Sequence, residues 1–179
     1  MSGGELNAAL VNGSIDAIMS WDPHVEDFIQ RKIARLVKAQ PFSLAVIMAD
    51  DFIQKNPEAA VDFLIALKEA ALYMATHKKQ VNGWYSQLCR IDVTTIDKSS
   101  QFNNIYKNAK TINDIDITLG EDFIKTLEDI AEFLFSEGLT AKKADIKGGI
   151  DLESIKKAEE KLGEIQYDPS LVKVITEEK

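Results

Sequence analysis

The chain has 179 residues, of which 45% are hydrophobic and 28% are charged, a length and balance typical of one compact domain. Its 29 acidic and 21 basic side chains leave a net charge of -8, which repels phosphate backbones, so we expect no nucleic-acid partner. The lone cysteine, Cys89, excludes an internal disulfide and the cysteine patterns of zinc fingers and iron–sulfur proteins.

The first 36 residues predict a helix, a strand and a second helix. Residues 5–11 place their apolar side chains on one helical face and stop at an Asn-Gly pair. Ile15 to Trp21 is apolar at almost every position, which favours a strand covered on both faces. Asp22 and Pro23 predict a helix start, as cap and first residue. The apolar stripe of this second helix comprises Val25, Phe28, Ile29, Ile33 and Leu36.

Residues 41–89 predict a strand followed by three helical segments. Ser43 to Met48 is typical of a second buried strand, and the acidic pair Asp50-Asp51 begins a short helical turn. A helix from Pro57 through Ala75 is apolar around most of its circumference, so we expect it to lie between two layers. Val81 to Cys89 predicts a further helix.

The rest of the chain predicts two well-marked helices after an irregular region. Residues 91–118 are rich in Asp, Asn, Ser and Thr, with one short helix expected near Phe102 to Tyr106. Glu121 to Glu137 has apolar side chains at helical spacing and is followed by a glycine. Asp151 is the expected cap of a last helix that stops at Gly163, and the residues beyond it form a charged tail.

These elements predict an α/β chain that is helix-rich and has few strands. A two-stranded sheet is marginal by itself, and both strands are apolar on two faces, so each needs neighbours that this chain hardly supplies. We therefore expect a part of a larger α/β architecture, whose sheet is completed by a second chain or by the rest of a longer protein.

No group of side chains predicts catalysis or metal binding. His24 and Asp27 share a helical face but Glu26 points away, and Asp50-Asp51 is explained as a cap. No motif for nucleophilic catalysis or phosphate binding surrounds the remaining candidates, and we expect no enzyme activity, metal or cofactor. Those candidates are Ser20, Ser86, His77 and Gly148-Gly149.

Trp21 is the best candidate for a ligand contact. It follows an apolar strand and precedes a proline-started helix, the place where open α/β sheets put ligand-contacting groups. The alternative is a core Trp that covers the sheet edge. The Trp84-Tyr85 pair is explained by ordinary packing.

Three segments form an ordered set of motifs. Residues 9–23, ALVNGSIDAIMSWDP, join a helix end, a Gly-x-Ile-Asp-Ala strand start and a Trp-x-Pro turn. Residues 43–70 join a strand, the motif DFIQKNPE and a long apolar helix, and residues 122–158 join an amphipathic helix, a glycine and an Ile-Asp ending. Together they resemble the solute-binding proteins of ABC transporters, in the branch for nitrate, sulfonates, taurine and thiamine precursors.

The resemblance implies a partial fold of the periplasmic-binding-protein type 2 kind, a two-lobed α/β clamshell whose C-terminal half matches this chain. Residues 1–20 would end the second lobe and its strand. Residues 21–163 would form the hinge and a helical segment like the first lobe, and residues 164–179 a tail. The ligand-binding residues that the resemblance implies are Trp21, Asp22, Ser20 and Pro23.

The function implied is that of the solute-binding component, or a fragment of one, of an ABC importer for a small solute that is anionic or resembles a sulfonate, nitrate or taurine. Its partners would be the solute and, for the full-length protein, an ABC permease. The alternative is a ligand-free helical interaction module that forms a homodimer. A synthase of the thiamine-precursor branch is a third alternative, disfavoured because no His- or Cys-centred group is present.

The resemblance also bears on the location of the protein. Full-length family members act in the periplasm or, attached to the membrane, outside the cell. These 179 residues show neither a signal peptide nor a membrane-spanning run, so a cytoplasmic location for the chain as given stays open.

Overall fold

The computed structural model describes residues 3–39, 45–100 and 108–164. By its internal contacts the chain divides into a first unit, Met1–Phe42 with Met74–Lys110, and a second unit, Ser43–Tyr73 with Thr111–Lys179. Short 3-10 turns lie at Ile112–Asp114 and Lys147–Gly149. The helices are α1 (Gly3–Val11), α2 (His24–Gln30), α3 (Asp50–Lys55), α4 (Pro57–Thr76), α5 (Lys78–Cys89), α6 (Val93–Ser100), α7 (Glu121–Ser136) and α8 (Leu152–Glu164).

Several helix ends follow the local signals in the sequence. α1 and α7 are followed by Gly13 and Gly138, whose φ angles of 76° and 68° suit a residue without a Cβ. At the start of α8, the Asp151 carboxylate accepts a hydrogen bond from the Ser154 backbone N–H at 3.0 Å, as expected of a cap. The short helix predicted near Phe102 to Tyr106 lies outside the described residues, as does the predicted tail beyond Glu164.

The two predicted strands are wrong. Ile15 to Trp21 and the described part of the second segment, residues 45–48, belong to no strand, and the part of the chain that the structure describes contains no sheet. Met19 and Ile47 are 94% and 90% exposed. A strand exists only when a neighbour pairs with its backbone groups, and an apolar run by itself does not supply that neighbour. The helix-rich character is therefore confirmed, but the α/β layering is absent from these residues.

Two predicted helices differ from those observed. α2 ends at Gln30 instead of running to Leu36, because Lys32 takes a left-handed φ of 57° and its N–H bonds back to the Ile29 carbonyl at 3.0 Å. α4 has the expected length but is buried along one face only, and Phe63 is 48% exposed. Apolar residues around most of the helix therefore did not mean that α4 is buried on two sides.

The first unit is held together by α6, which the sequence analysis missed. α6 packs against both α5 and α2, and its Ile96 is only 1% exposed. The Ser86 hydroxyl donates to the Ile91 carbonyl at 2.6 Å and fixes the turn between α5 and α6. Because α6 is rich in Thr, Ser and β-branched residues, its helical propensity is low, and packing of Ile96 overrides that propensity.

The second unit has a small core between α4 and α8. Val61 and Ile65 of α4 pack against Ala158 and Leu162 of α8, with Leu64, Ile112 and Ile117 around them. Beside this core, the buried Lys68 ammonium contacts both carboxylate oxygens of Glu159 at 2.6 and 2.7 Å. The two helices are therefore joined by apolar contact and by one charged pair that lies close to it.

Candidate functional site

The turn before α2 carries the four residues that the resemblance implies as ligand contacts. The Trp21 carbonyl accepts hydrogen bonds from the backbone N–H groups of His24 at 3.1 Å and Val25 at 3.3 Å, which fixes the turn to the helix. The indole is left 56% exposed, and Asp22 is also exposed. Ser20 is half-buried. Pro23 is buried and lies at the N-cap position of α2, after a cis peptide bond.

Asp22 caps the first turn of α2 from one residue further out than predicted. Its Oδ1 accepts a hydrogen bond from the Glu26 backbone N–H at 3.3 Å. Partial desolvation raises the pKa of the Asp22 carboxyl, the Glu26 N–H opposes that rise, and the Glu26 charge adds to it. Glu26 itself lies 3.9 Å from the Lys98 ammonium and accepts a bond from Gln30. The start of α2 therefore places the Asp22 and Glu26 carboxyl groups near each other, with the Lys98 ammonium beside Glu26.

The raised pKa of Asp22 predicts that its ionisation opposes folding. The folded state holds the proton more tightly than the unfolded chain, so this penalty is absent below the unfolded pKa and fully present above the folded one. We expect Asp22→Asn, which keeps the acceptor oxygen, to raise the free energy of unfolding at pH 7 by less than about 1 kcal/mol and to leave it unchanged at pH 3. Urea unfolding at the two pH values measures the difference; a loss of stability at pH 7 would contradict the assignment.

An open surface region lies where α2 ends, in residues that the sequence predicts as the end of one apolar helical stripe. It is an open depression of about 580 Å³. The depression lies here because the backbone at Lys32 is left-handed and does not continue the helix. Ile33 and Leu36, the last residues of the predicted apolar stripe, therefore lie outside α2. The sequence did not predict this depression, because the spacing of apolar residues does not show that a lysine adopts a left-handed conformation. Its lining residues are Ile29, Lys32, Ile33, Ala34, Arg35 and Leu36.

The described residues contain neither a metal-binding group nor a membrane-spanning helix. In residues 3–39, 45–100 and 108–164, no three side chains of the His, Cys, Asp and Glu types converge on a point where they could hold a metal ion. Over the same residues, every helix is too short or too polar to cross a bilayer.

Comparison with known proteins gives one informative match. The chain is 26% identical over 159 residues to a Bacillus subtilis (strain 168) protein named "Putative aliphatic sulfonates-binding protein". The match covers 86% of this chain but 45% of that protein, so the chain spans less than half the length of its relative. No protein-family model and no solved structure matches the chain. The chain is thus similar, over most of its own length, to a protein named for binding a solute.

Proposed function

We propose that this chain is the solute-binding component, or a segment of one, of an ABC importer for a small solute that is anionic or resembles a sulfonate, nitrate or taurine. The observation that carries the proposal is the similarity, over 86% of the chain, to a protein named for binding aliphatic sulfonates. The ordered motifs of residues 9–23, 43–70 and 122–158 support the same role. In this role the full-length protein works outside the cytoplasm, delivers its solute to a permease and carries out no chemical reaction.

The turn at Trp21 suits a small organic solute better than a bare inorganic anion. An exposed indole offers an apolar face to an alkyl segment and one N–H donor to an anionic oxygen. The carboxylates of Asp22 and Glu26 repel anions but attract an ammonium group. A solute that carries both a sulfonate and an ammonium, as taurine does, matches this combination of groups, and nitrate does not.

A fluorescence titration tests this role for the indole. The chain has two tryptophans, so Trp84→Phe leaves Trp21 as the only indole reporter. We expect taurine to change the emission of that variant in a saturable manner, with ethanesulfonate weaker and nitrate weakest. Saturable binding that is measured by calorimetry but leaves the Trp21 emission unchanged would place the solute elsewhere.

The alternative function, a helical module that forms a homodimer, is favoured by one observation. Along and beyond α7, large apolar side chains lie in solvent: Ile130 is 49% exposed, Phe133 58% and Leu139 66%. Exposed apolar groups in a row are typical of an interaction surface. If this function holds, analytical ultracentrifugation gives a dimer that Phe133→Ser converts to a monomer, and no solute binds. A monomer at micromolar concentration would contradict it.

A further inference from the structure

We propose that Asn12 is a site of spontaneous modification, at which the side-chain amide is converted through a cyclic imide into a mixture of aspartate and isoaspartate. The chain contains the tripeptide Val-Asn-Gly twice, at residues 11–13 and 81–83. An Asn that precedes a Gly is prone to this reaction, because glycine has no Cβ to hinder the attack of its backbone nitrogen. The two copies have the same sequence, so the structure around each decides how fast it reacts. The inference does not depend on the proposed solute site.

The first copy lies in an exposed turn at the end of α1. Residues 12–14 are exposed, and Gly13, with its φ of 76°, has open space where a Cβ would point. The Gly13 N–H donates to the Leu10 carbonyl at 3.2 Å, and the Ser14 N–H donates to the Ala9 carbonyl at 2.9 Å. Both bonds belong to the last turn of a helix, where local opening costs least. The backbone nitrogen of Gly13 can therefore be released for reaction without unfolding the rest of the first unit.

The Asn12 side chain is arranged for the loss of its amide nitrogen. Its Oδ1 accepts a hydrogen bond from the Ser14 backbone N–H at 3.0 Å. This bond polarises the amide carbonyl and stabilises the negative charge that develops on Oδ1 when a nucleophile attacks Cγ. The Nδ2 group makes no hydrogen bond to any other described residue, so no such bond retains it as a leaving group.

The second copy is protected by its place inside α5. The Asn82 Nδ2 group donates hydrogen bonds to Asp97 Oδ1 at 2.7 Å and to Ser100 Oγ at 3.3 Å, both on α6. Gly83 lies in the interior of α5, where backbone N–H groups are used by the helical hydrogen bonds. Because α5 also packs against α6, the reaction at Asn82 requires the helix and both side-chain bonds to open. We therefore expect Asn82 to react much more slowly than Asn12.

The reaction needs only water and a base. The base removes the proton of the Gly13 N–H, the nitrogen forms a bond to Cγ of Asn12, and the bond from Cγ to Nδ2 breaks, so that Nδ2 leaves as ammonia. Water then opens the cyclic imide at Cγ, which gives aspartate, or at the backbone carbonyl carbon of Asn12, which gives isoaspartate. In sum, one amide and one water become one carboxylate and one ammonium ion.

Either product changes the end of α1. Aspartate adds a negative charge beside the carbonyl groups at the end of the helix, where the helix dipole is already negative. Isoaspartate also lengthens the backbone between residues 12 and 13 by one methylene, which disrupts the bond from the Ser14 N–H to the Ala9 carbonyl. The modified chain should therefore lose the last turn of α1.

Incubation of the full chain in mildly alkaline buffer, followed by peptide mapping with mass spectrometry, tests the proposal. We expect the peptide that contains Asn12 to convert to separable aspartate and isoaspartate forms at least about tenfold faster than the peptide that contains Asn82, whose side-chain bonds must open first. In concentrated urea the two rates should become similar, because the tripeptides are identical. Equal rates in the folded chain, or a tenfold difference that persists in urea, would overturn the proposal.

Two variants test the route through the cyclic imide. Gly13→Ala adds a Cβ beside the attacking nitrogen, so the conversion of Asn12 should slow several-fold, both in buffer and in urea, where the comparison does not depend on folding. Gly83→Ala makes the same change in the other tripeptide and should leave the rate at Asn12 unchanged. An unchanged rate in Gly13→Ala, or aspartate formed without isoaspartate, would show direct hydrolysis by water and refute the cyclic imide.

Discussion

Glu159→Ala is expected to lower the free energy of unfolding by about 3 kcal/mol, the largest stability effect that we predict for a single substitution. Glu159 is the ion-pair partner of Lys68, whose side chain is 4% exposed. Without the Glu159 carboxylate, the ammonium keeps its desolvation cost and loses its ion-pair partner, and only the more distant Asp116 carboxylate still attracts it. Because the Glu159 side chain is 40% exposed, water can partly replace it, which places the expected loss at the low end for a buried pair.

Lys68→Met is expected to change the free energy of unfolding by less than about 1 kcal/mol, because it removes the buried charge and keeps an aliphatic chain of similar length. The carboxylate that it leaves behind is solvated. Asp62→Ala, which breaks the exposed pair with Lys161, is the control and should leave stability nearly unchanged. Urea unfolding followed by circular dichroism compares all three variants at pH 7. Equal losses for Glu159→Ala and Lys68→Met would contradict the account, because only a buried charge that has lost its ion-pair partner makes them differ.

Trp21→Ala is expected to weaken taurine binding about 30-fold, or about 2 kcal/mol, the usual cost of truncating a central aromatic contact. The indole is 56% exposed, so its loss should leave the fold intact and lower the free energy of unfolding by no more than about 2 kcal/mol. Trp21→Phe keeps a flat apolar face but no N–H donor and should give an intermediate affinity. Parallel calorimetric titrations measure the three affinities. Unchanged affinity in Trp21→Ala would remove the indole from the site.

Where a helix depends on neighbouring residues in the sequence, its position could be predicted. α1 and α7 are followed by a Gly, and α8 is preceded by a capping Asp. Each of these residues acts within one helical turn of the helix end. α6 could not be predicted, because it depends on packing against α5 and against α2, which is distant in sequence, and this packing buries Ile96. The strands failed for a related reason, since pairing needs a partner segment that an apolar run such as residues 15–21 does not specify.

The two ends of α2 likewise differ in how well the sequence predicted them. Pro23 and Asp22 predicted the turn before α2, and the structure has that turn with the Trp21 indole exposed beside it. The depression beyond α2 was hidden, because Ile29 and Leu36 follow the period of a helix that in fact ends at Gln30. Sequence patterns thus located the residues at which α2 starts, but they did not predict the left-handed Lys32 that follows its end.

The most direct test of the proposed function is a calorimetric titration of the unmodified chain with taurine, ethanesulfonate and sodium nitrate at pH 7, after circular dichroism has confirmed the helical fold. The proposal predicts saturable binding of one solute per chain, with taurine bound most tightly. The proposal would be contradicted if the folded protein gave no measurable heat with any of the three solutes at concentrations up to the millimolar range.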